Sequence, residues 1–500
     1  MKVSIVGAGA MGSGIAQVAA AAGESVLLFD TRTGAAEAAL GSIRKRFEQL
    51  ASKGRMTAAD AAAASQRLAA ATALSDFANA GLVIEAVIED LAVKRQLFQS
   101  LDAIVAADCL LATNTSSLSL AAIATALRAP ERLVGMHFFN PAPLMALVEV
   151  VGSVVTAPAA LDAIERLAVG WGKSPVRVRA TPGFIVNRVA RPYYAEGLRL
   201  LAEQATDPAT LDALLRDAGG FRMGPCELTD LIGQDVNFAV TCSVFHAYFG
   251  DPRFQPSLVQ QELVEAGWLG RKSGRGFFRY GESAAPPQPQ VEPPHPKPDR
   301  IAIAGTPGSD ALTDALAARI GAAGINVTRE PRLPTDTLLQ VTDGRTALEC
   351  ELAAGDQPQP TVVADLALDY GTVKRLALAV SPHCGPGAWA SVAGALQAAG
   401  IAVVRLRDLP ALAVMRTVAM LANEAADAVH FGVADATSVD LAMRKGVNYP
   451  LGPLEWAHKI GLSRIHAVLA ALGAFYGEDR YRISPFLRQQ VLSGRFHVHE

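Results

Sequence analysis

A histidine and a glutamate twelve residues apart have the types and spacing for acid–base chemistry. His137 ends an apolar run over 133–137, and Glu149 lies inside a second one over 146–151. Burying an unpaired carboxylate among aliphatic side chains is costly, so Glu149 needs a partner, and a histidine on a neighbouring strand is the obvious candidate. Such a pair fixes the imidazole tautomer and makes a general base. A structural ion pair, or an outward-facing glutamate on an edge strand, explains the same spacing, so both interpretations stay open.

Two further polar side chains are placed to hold a substrate. Ser116 follows a predicted strand over 110–112, at the end where ligands bind in open α/β sheets. Asn187 lies in an apolar helix start, where a buried amide needs hydrogen-bond partners and a substrate oxygen is one option. Each has an alternative: Ser116 or Ser117 can cap a helix starting near residue 118, and Asn187 can bond a neighbouring loop.

Charged residues near these elements add two candidates. Glu89 and Lys94 lie at and after the end of a predicted strand over 82–89, where they form either a surface ion pair or contacts to the nicotinamide half of a cofactor. The segment 267–278 is basic and punctuated by glycine. It is either a flexible tail or a loop that returns to bound ligands.

The first thirty residues predict the element that positions a cofactor. A buried strand over 2–7 runs into the sequence GAGAMG at 7–12, and a helical pattern extends to about residue 22. A second apolar strand over 25–29 ends in Asp30. This order of elements and this spacing are typical of a dinucleotide site. An ordinary glycine turn in another α/β domain is the alternative.

Each residue of that unit has a physical role in binding a dinucleotide. Gly7 permits the tight turn, Gly9 lets the backbone approach a pyrophosphate, and Gly12 lets the helix pack closely on the strands. Asp30 is placed to accept hydrogen bonds from a ribose diol and would repel a 2′-phosphate, which indicates NAD rather than NADP. Arg32 weakens that preference, because a nearby arginine can accommodate the phosphate.

The chain divides into five predicted segments. Strands alternate with helices up to residue 182, which predicts a doubly wound Rossmann-type sheet. An all-α segment follows, then a linker with seven prolines, a smaller α/β segment without the glycine fingerprint, and another all-α segment. We expect the smaller α/β segment to be a degenerate nucleotide fold, or an unrelated domain, without a cofactor. The predicted boundaries are 1–182, 183–280, 281–300, 301–408 and 409–500.

The last helical segment repeats the first. Matching residues lie at one constant offset of 228 positions: 186–188 with 414–416, Glu196 with Glu424, Asp207 with Asp435, and 223–227 with 451–455. This offset indicates an internal duplication. Because Met415 stands where the first copy has Asn187, we expect the second copy to have kept its packing and lost its chemistry.

Composition and charge exclude several classes of function. The 500 residues are half hydrophobic and carry a formal net charge of −3, so nothing indicates binding to nucleic acid or to a membrane surface. No apolar run is long enough to span a bilayer. The five cysteines show neither paired nor metal-ligand spacing, so we expect reduced thiols in a cytoplasmic protein without a metal site.

Seven motifs in order resemble the 3-hydroxyacyl-CoA dehydrogenase family. They lie within about residues 1–280 and read GAGAMG at 7–12, VIEAVIED at 83–90, TNTSSL at 113–118, GMHFFNPAPLMALVEVV at 135–151, TPGFIVNR at 181–188, MGPCELTD at 223–230 and GRKSGRGFF at 270–278. The resemblance implies the oxidation of an L-3-hydroxyacyl-CoA to a 3-ketoacyl-CoA with NAD as the cofactor.

The family's functional residues carry over onto matching positions of this sequence. His137 matches the general base and Glu149 the acid that orients it. Ser116 and Asn187 match the pair that contacts the substrate, and Lys53 matches a lysine near the CoA moiety. The remaining matches are cofactor contacts: Gly7, Gly9, Ala10, Met11, Gly12, Asp30, Glu89, Lys94, Ser116, Asn140 and Lys272.

Two positions depart from the family's pattern. Asp90 stands where the family usually has asparagine, and Arg46 stands where it has a serine in the helix before Lys53. Both departures leave the residues implied for the reaction in place and concern the CoA side of the site. The long form with a duplicated C-terminal segment resembles bacterial enzymes of phenylacetate catabolism and butyryl-CoA metabolism. That likeness implies 3-hydroxyadipyl-CoA or 3-hydroxybutyryl-CoA as the substrate, in phenylacetate catabolism or fatty-acid β-oxidation.

Two other functions stay open. One is an NAD-dependent dehydrogenase of a free hydroxy acid on the same scaffold, and the other is a non-catalytic NAD-binding protein. The helical segment implies a homodimer, or a pseudo-dimeric monomer if the duplicated copy covers the same face within one chain.

Overall fold

The computed structural model of this chain describes residues 1–282, 284–329, 337–353 and 359–494. Parts of three predicted segments lie outside the described residues: residue 283 of the linker, 330–336 and 354–358 of the smaller α/β segment, and 495–500 of the last helical segment. Contacts divide the chain into two units. The first comprises Met1–Arg188 and Phe431–Val447, and the second comprises the rest.

The strands of the described residues form two sheets, one in each unit. The first unit holds β1 (Lys2–Val6), β2 (Ser25–Phe29), β3 (Leu68–Ala70), β4 (Leu82–Glu85), β5 (Leu110–Thr113), β6 (Leu133–Phe138), β7 (Leu147–Gly152) and β8 (Ser174–Arg179). The second unit holds β9 (Arg300–Ile303), β10 (Asn326–Thr328), β11 (Leu338–Val341), β12 (Thr361–Ala364), β13 (Arg375–Val380) and β14 (Ala402–Arg405).

The α-helices of the described residues are, in chain order, α1 (Ala10–Ala21), α2 (Ala35–Ser52), α3 (Ala58–Gln66), α4 (Leu91–Ile104), α5 (Leu120–Ala124), α6 (Pro158–Gly170), α7 (Val186–Val189), α8 (Arg191–Ala202), α9 (Pro208–Asp217), α10 (Pro225–Ile232), α11 (Gln234–Ala247), α12 (Leu258–Glu265), α13 (Ala311–Ala322), α14 (Ala347–Leu352), α15 (Pro386–Ala398), α16 (Val414–His430), α17 (Ala436–Gly446), α18 (Pro453–Ile460), α19 (Leu462–Tyr476) and α20 (Pro485–Ser493). Short 3₁₀ turns lie at Leu74–Phe77, Pro130–Arg132, Pro252–Phe254, Arg271–Ser273 and Asp479–Tyr481. None of the described helices combines the length and apolar character needed to cross a bilayer.

The first unit is a doubly wound Rossmann-type domain, as predicted. Its strands lie in the order β3-β2-β1-β4-β5-β6-β7-β8, and neighbours are parallel except β6 and β7. Strands β4, β6 and β7 are buried along their whole length, as expected where helices cover both faces of a sheet. One apolar core lies under α1, α2, α3 and α6, and a second lies under α4 and α5.

One strand of this sheet is shorter than predicted. The apolar pattern predicts a strand over 82–89, but β4 ends at Glu85. The N–H of Val87 donates to Glu85 Oε1 at 2.8 Å, so the chain leaves the sheet there instead of pairing with a neighbouring strand. The acids after Val87 therefore lie in a loop beyond the carboxyl end of the strand.

The second unit combines helices with a smaller sheet, which confirms the predicted all-α segments and the second α/β segment. Its strands lie in the order β10-β9-β11-β12-β13-β14, with β12 and β13 antiparallel. Helices α8 and α16, one from each helical copy, pack against each other. The described residues of the proline-rich linker before β9 form neither helix nor strand. They bond to this unit through the N–H groups of Gln290 and Glu292, which donate to Thr210 Oγ1 and to the carbonyl of Val403.

Candidate active site

His137 and Glu149 face each other across two neighbouring strands. The antiparallel register of β6 and β7 places them directly opposite, so their side chains lie on one face of the sheet. His137 Nδ1 lies 2.6 Å from Glu149 Oε2. Glu149 is fully buried and His137 is 6% exposed. The pair fixes the imidazole through Nδ1 and leaves Nε2 for another partner.

The second oxygen of Glu149 binds the backbone that leads into α7. Glu149 Oε1 accepts hydrogen bonds from the N–H groups of Ile185 at 2.9 Å and Val186 at 3.0 Å. Both are donors that a helix start leaves without an intrahelical acceptor. Asn187 is the second residue of α7 and is partly buried. One carboxylate therefore links the imidazole of His137 to the segment that carries Asn187.

Two aromatic rings contact the histidine, and a side-chain amide binds the backbone of the residue that follows it. The ring centroid of Phe139 lies 4.6 Å from that of His137, and that of Phe184 lies 5.7 Å away. Asn114, which directly follows β5, accepts the N–H of Phe138 through Oδ1 at 2.9 Å. Sequence reasoning missed Asn114, although a polar residue directly after a buried strand is the signal that singled out Ser116.

Glu89 accepts several hydrogen bonds from the loop that carries Ser116. Its Oε1 accepts the hydroxyl of Thr115 at 2.6 Å and the N–H groups of Ser116 and Ser117 at 2.9 and 3.0 Å. Burial acts to raise the pKa of Glu89, but these hydrogen bonds and the charge of Lys94 outweigh it, so the pKa lies below its ordinary value. The ionised carboxylate thus holds the Ser116 loop at the carboxyl end of β5.

Lys94 is a buried cation. It is 1% exposed, and its Nζ lies 2.6 Å from Glu85 Oε1 and 3.2 Å from Glu89 Oε2. The second oxygen of Glu85 accepts the hydroxyl of Thr113 at 2.6 Å. Glu89 and Lys94 therefore do form an ion pair, but its lysine is buried rather than on the surface. Glu85 was missed, although a carboxylate inside an apolar strand is the signal that identified Glu149.

The helix predicted from about residue 118 begins two residues later. α5 starts at Leu120, and its N-cap is Ser119, whose hydroxyl accepts the N–H of Ala122 at 3.2 Å. Neither Ser116 nor Ser117 is the cap. The N–H groups of both, and the hydroxyl of Ser117 at 3.0 Å, donate to the Glu89 carboxylate instead.

The glycine turn after β1 has the geometry of a phosphate cradle. Gly7 has a φ of +105°, and a Cβ on Gly7 or on Gly12 would overlap a backbone carbonyl. A Cβ on Gly9 would meet no atom within 4 Å, so this residue faces open space at the N-terminus of α1. Ala10 and Met11 are the first two residues of that helix. The turn fits the pyrophosphate of a dinucleotide.

Asp30, directly after β2, is tied both to the turn and to Arg32. Its Oδ2 accepts the N–H of Ala8 at 2.8 Å. The Arg32 guanidinium donates to Oδ1 at 3.0 Å and to Oδ2 at 3.1 Å. This pairing outweighs burial and holds the pKa of Asp30 far below its ordinary range. Asp30 is therefore negatively charged at neutral pH, and Arg32 is held by it.

The three remaining predicted contacts are Asn140, Lys53 and Lys272. Asn140 is exposed in the segment after β6, and Lys53 is exposed as the C-cap of α2. Lys272 belongs to the second unit, where its Nζ lies 2.7 Å from Asp235 Oδ2. Among the described hydrogen bonds and ion pairs, none joins Asn140 or Lys53 to His137.

A large cavity opens beside α1 and α2 in the first unit. Its volume is about 1280 Å³. The described residues that line it include no carboxylate but four cationic side chains: Arg32, Arg46, Arg55 and Lys173. Lys173 is buried, which lowers its pKa, and its Nζ donates to the carbonyls of Ala142 and Met145 at 2.6 and 2.9 Å. A cavity lined by cationic side chains and many alanines suits an anionic ligand.

The second half of the chain repeats the strands of this site with different residues. β11, β12, β13 and β14 each begin 228 positions after β5, β6, β7 and β8, so the duplication extends from the helices to the sheet. At that offset, all four candidate catalytic residues are replaced. Ser116, His137, Glu149 and Asn187 correspond to Gly344, Asp365, Ala377 and Met415.

In the second unit, Asp365 accepts the same type of backbone hydrogen bonds that Glu149 accepts in the first. It is fully buried, and its Oδ2 accepts the N–H groups of Ala413 at 3.0 Å and Val414 at 2.8 Å. These residues are the counterparts of the two whose N–H groups bind Glu149. Burial raises the pKa of Asp365 to about 6 despite these bonds. With Ala377 opposite it, the second sheet holds no histidine–carboxylate pair at this position.

Family profiles match most of the chain. The profile of the 3-hydroxyacyl-CoA dehydrogenase NAD binding domain matches residues 2–181, and that of the C-terminal domain matches 183–280 and again 413–500. The profile described as the 3-hydroxybutyryl-CoA dehydrogenase reduced Rossmann-fold domain matches 339–410.

Individual relatives match over the whole chain or over its first half. The 3-hydroxyadipyl-CoA dehydrogenase of Escherichia coli (strain K12) is 44% identical over 98% of this chain and 97% of its own length. A probable 3-hydroxybutyryl-CoA dehydrogenase of Bacillus subtilis (strain 168) is 38% identical over 57% of this chain and 99% of its own. A crystal structure of 3-hydroxybutyryl-CoA dehydrogenase from Escherichia coli K12 substr. MG1655 has a TM-score of 0.87 and 42% identity, covering 99% of both chains.

Proposed function

The chain belongs to the 3-hydroxyacyl-CoA dehydrogenase family and is an NAD-dependent dehydrogenase of that family, and from this premise we propose that it interconverts L-3-hydroxyacyl-CoA and 3-ketoacyl-CoA. The observation that carries the assignment of the site is the 2.6 Å contact between His137 Nδ1 and the buried Glu149 carboxylate. It gives an imidazole with a fixed tautomer and a compensating charge, which are the requirements of a general base.

His137 takes the proton of the substrate hydroxyl through Nε2. Glu149 keeps the other ring nitrogen protonated and stabilises the imidazolium that forms. The aromatic rings beside His137 exclude water from the base, which strengthens its electrostatic interaction with Glu149. When NAD is bound, it supplies the acceptor for the hydride that leaves C3 of the substrate.

Ser116 and Asn187 hold the reacting oxygens in this proposal. Each lies on a segment whose backbone is held by a carboxylate, Glu89 for Ser116 and Glu149 for Asn187. Placement on such supported segments favours a substrate pose close to the reactive geometry.

The glycine turn of the first unit and the acid after β2 are the centre of the proposed NAD site. Gly9 supports this assignment best, because it leaves open space at a helix N-terminus where a phosphate binds. Asp30 is ionised and placed for a ribose diol. The proposed contacts are Gly7, Gly9, Ala10, Met11, Gly12, Asp30, Glu89, Lys94, Ser116, Asn140 and Lys272.

The cationic cavity supports a CoA ester as the substrate. CoA carries phosphates, and the cavity presents four cations without a carboxylate among its described lining residues. Lys53, at the end of α2, is a further proposed contact. Relatives named for 3-hydroxyadipyl-CoA and 3-hydroxybutyryl-CoA make these two acyl groups the proposed substrates, in phenylacetate catabolism or fatty-acid β-oxidation.

The proposed boundaries are those predicted from the sequence: 1–182, 183–280, 281–300, 301–408 and 409–500. We propose a cytoplasmic protein. Because α8 and α16 of the two helical copies pack against each other within one chain, we also propose a pseudo-dimeric monomer rather than a homodimer. Light scattering distinguishes the two by a mass of 52.3 kDa or twice that value.

Oxidation of NADH by acetoacetyl-CoA, followed at 340 nm, tests the proposed reaction. Turnover by the wild-type protein supports it. Turnover only with free hydroxy acids or keto acids would favour a related dehydrogenase on the same scaffold. NADH binding without turnover of either class would favour a non-catalytic NAD-binding protein.

His137→Gln tests the proposed base. We expect kcat to fall about a hundredfold or more while the dissociation constant for NADH stays unchanged, because general base catalysis contributes on that order. Normal turnover by this variant would refute the role of His137.

A further inference from the structure

A helix from the duplicated copy is part of the catalytic unit. α17 lies almost 300 residues after β7 in sequence, yet it belongs to the first unit and packs against β7 and β8. The chain before α17 is anchored there as well, because the N–H of Arg179 donates to the carbonyl of Val433 at 2.8 Å. The second copy therefore contributes a helix to the sheet that carries Glu149.

The contact between α17 and this sheet depends on a glycine. Gly446 is the last residue of α17, and a Cβ there would lie 2.6 Å from Leu147 Cδ2 and 3.1 Å from Val186 Cγ2. Both neighbours are buried. A side chain at position 446 would thus push on the terminal methyl groups of two buried side chains, which must shift to make room for it.

These two neighbours flank Glu149. Leu147 is two residues before Glu149 in β7, so both side chains lie on the same face of the sheet. Val186 donates its N–H to Glu149 Oε1 at 3.0 Å. A displacement of Leu147 or Val186 is therefore transmitted directly to the carboxylate that orients His137.

We propose that Gly446 is a positioning residue for Glu149, and that the second helical copy is retained because α17 braces the catalytic pair. This inference rests on the proposed function. It assigns a role to a helical copy in which Met415 has replaced the residue corresponding to Asn187.

The pseudo-symmetry of the chain supports this role. The counterpart of α17 is α9 of the first copy, which begins after Asp207 as α17 begins after Asp435, and α9 packs against β13, the counterpart of β7. Each helical copy thus supports the other copy's sheet. The residue corresponding to Gly446 is Ala218, which has a methyl side chain. The sheet that α9 supports has Ala377 at the position of Glu149, so that sheet contains no glutamate that a larger side chain at 218 would displace.

Substitution of Gly446 tests the proposal. In Gly446→Ala we expect kcat for acetoacetyl-CoA reduction to fall severalfold, and in Gly446→Val about tenfold or more, because small misplacements of catalytic groups cost on the order of a hundredfold. KM for NADH should stay unchanged, since the glycine turn lies at the far side of the sheet order from β7.

Gly321→Ala is the matched control. Gly321 lies one residue before the end of α13, and a Cβ there would meet no atom within 4 Å. Both alanine substitutions raise helix propensity to a similar extent. The control should keep the wild-type kcat.

A compensating substitution separates positioning from general damage. Gly446→Val combined with Leu147→Ala roughly conserves the buried volume, and we expect the pair to restore most of the kcat lost in Gly446→Val. If Gly446→Val does not fold, Gly446→Ala combined with Leu147→Val serves the same purpose. A wild-type kcat in the Gly446 variants, or losses that simply add in the double variants, would overturn the inference. Lack of turnover by the wild-type protein would instead refute the proposed function.

Discussion

Asp365 lies 228 positions after His137 and occupies the same place in its sheet, directly opposite Ala377, the counterpart of Glu149. The duplicated half has therefore kept the fold of the catalytic half and replaced its acid–base pair. The turn after β9 also differs from the turn after β1, because Pro307 stands two positions after Gly305 whereas Gly9 stands two positions after Gly7.

The first prediction is that each chain binds one NADH. Proline lacks the N–H that would face a phosphate and adds a ring where Gly9 leaves open space, so the second turn should not bind the cofactor. Titration calorimetry should give a stoichiometry of one, and Gly9→Val should abolish binding. The control Pro307→Ala should leave both the stoichiometry and the affinity unchanged. Two NADH molecules per wild-type chain would contradict this.

The second prediction concerns the charge of Glu149. Glu149→Gln should lower kcat by about a hundredfold or more, because a neutral amide cannot stabilise the imidazolium that forms on His137. The dissociation constant for NADH should not change. Glu165→Gln is the control, since Glu165 forms a partly exposed ion pair with Arg177 in the same unit and should leave kcat unchanged. Equal effects of the two substitutions would argue against a role for Glu149 in orienting the base.

The central pair could be predicted from the sequence because its signal is local. A single carboxylate inside the apolar run around Glu149 requires a buried partner, and the short connection from the His137 strand makes antiparallel pairing natural. The glycine turn and Asp30 were predictable for the same reason, since they lie within thirty consecutive residues.

The sequence could not predict features that depend on tertiary contacts: the burial of Lys94, the N-cap of α5 and the position of α17. Lys94 is buried because Glu85, nine residues earlier, turns its carboxylate toward α4, and no periodicity in the sequence shows that contact. The cap of α5 was misplaced because three serines within four residues, 116–119, offer equivalent hydroxyls, and the position of Glu89 determines which of them it binds. The position of α17 depends on packing across almost 300 residues, which no local pattern encodes.

The third prediction is a pH dependence of stability that comes from Glu89. Its pKa lies below the ordinary value of 4.5, so its ionised form stabilises the folded state. That contribution is present above pH 4.5 and is lost as the pH falls through the lowered pKa. Chemical denaturation should therefore show Glu89→Gln to be less stable than the wild type at pH 7, with the difference shrinking below pH 4.5.

Glu48→Gln is the control for this series. Glu48 is exposed on α2 and forms none of the described ion pairs, so its substitution should leave the pH dependence of unfolding unchanged. A constant difference between Glu89→Gln and the wild type from pH 7 to pH 3.5 would show that the ionised form of Glu89 contributes nothing to the folded state.

The fourth prediction concerns the cationic cavity. Arg46→Ala and Arg55→Ala should each raise KM for acetoacetyl-CoA severalfold without changing kcat or the KM for NADH, because exposed cations contribute modestly to binding a phosphate. The effect should weaken as the salt concentration rises.

Arg166→Ala, on the exposed side of α6 and outside the cavity lining, should change none of these constants. The thioester of acetoacetate with N-acetylcysteamine lacks the CoA phosphates, so its KM should be the same in all these variants. A similar rise in KM for that thioester would show that the arginines act on the fold rather than on the phosphates.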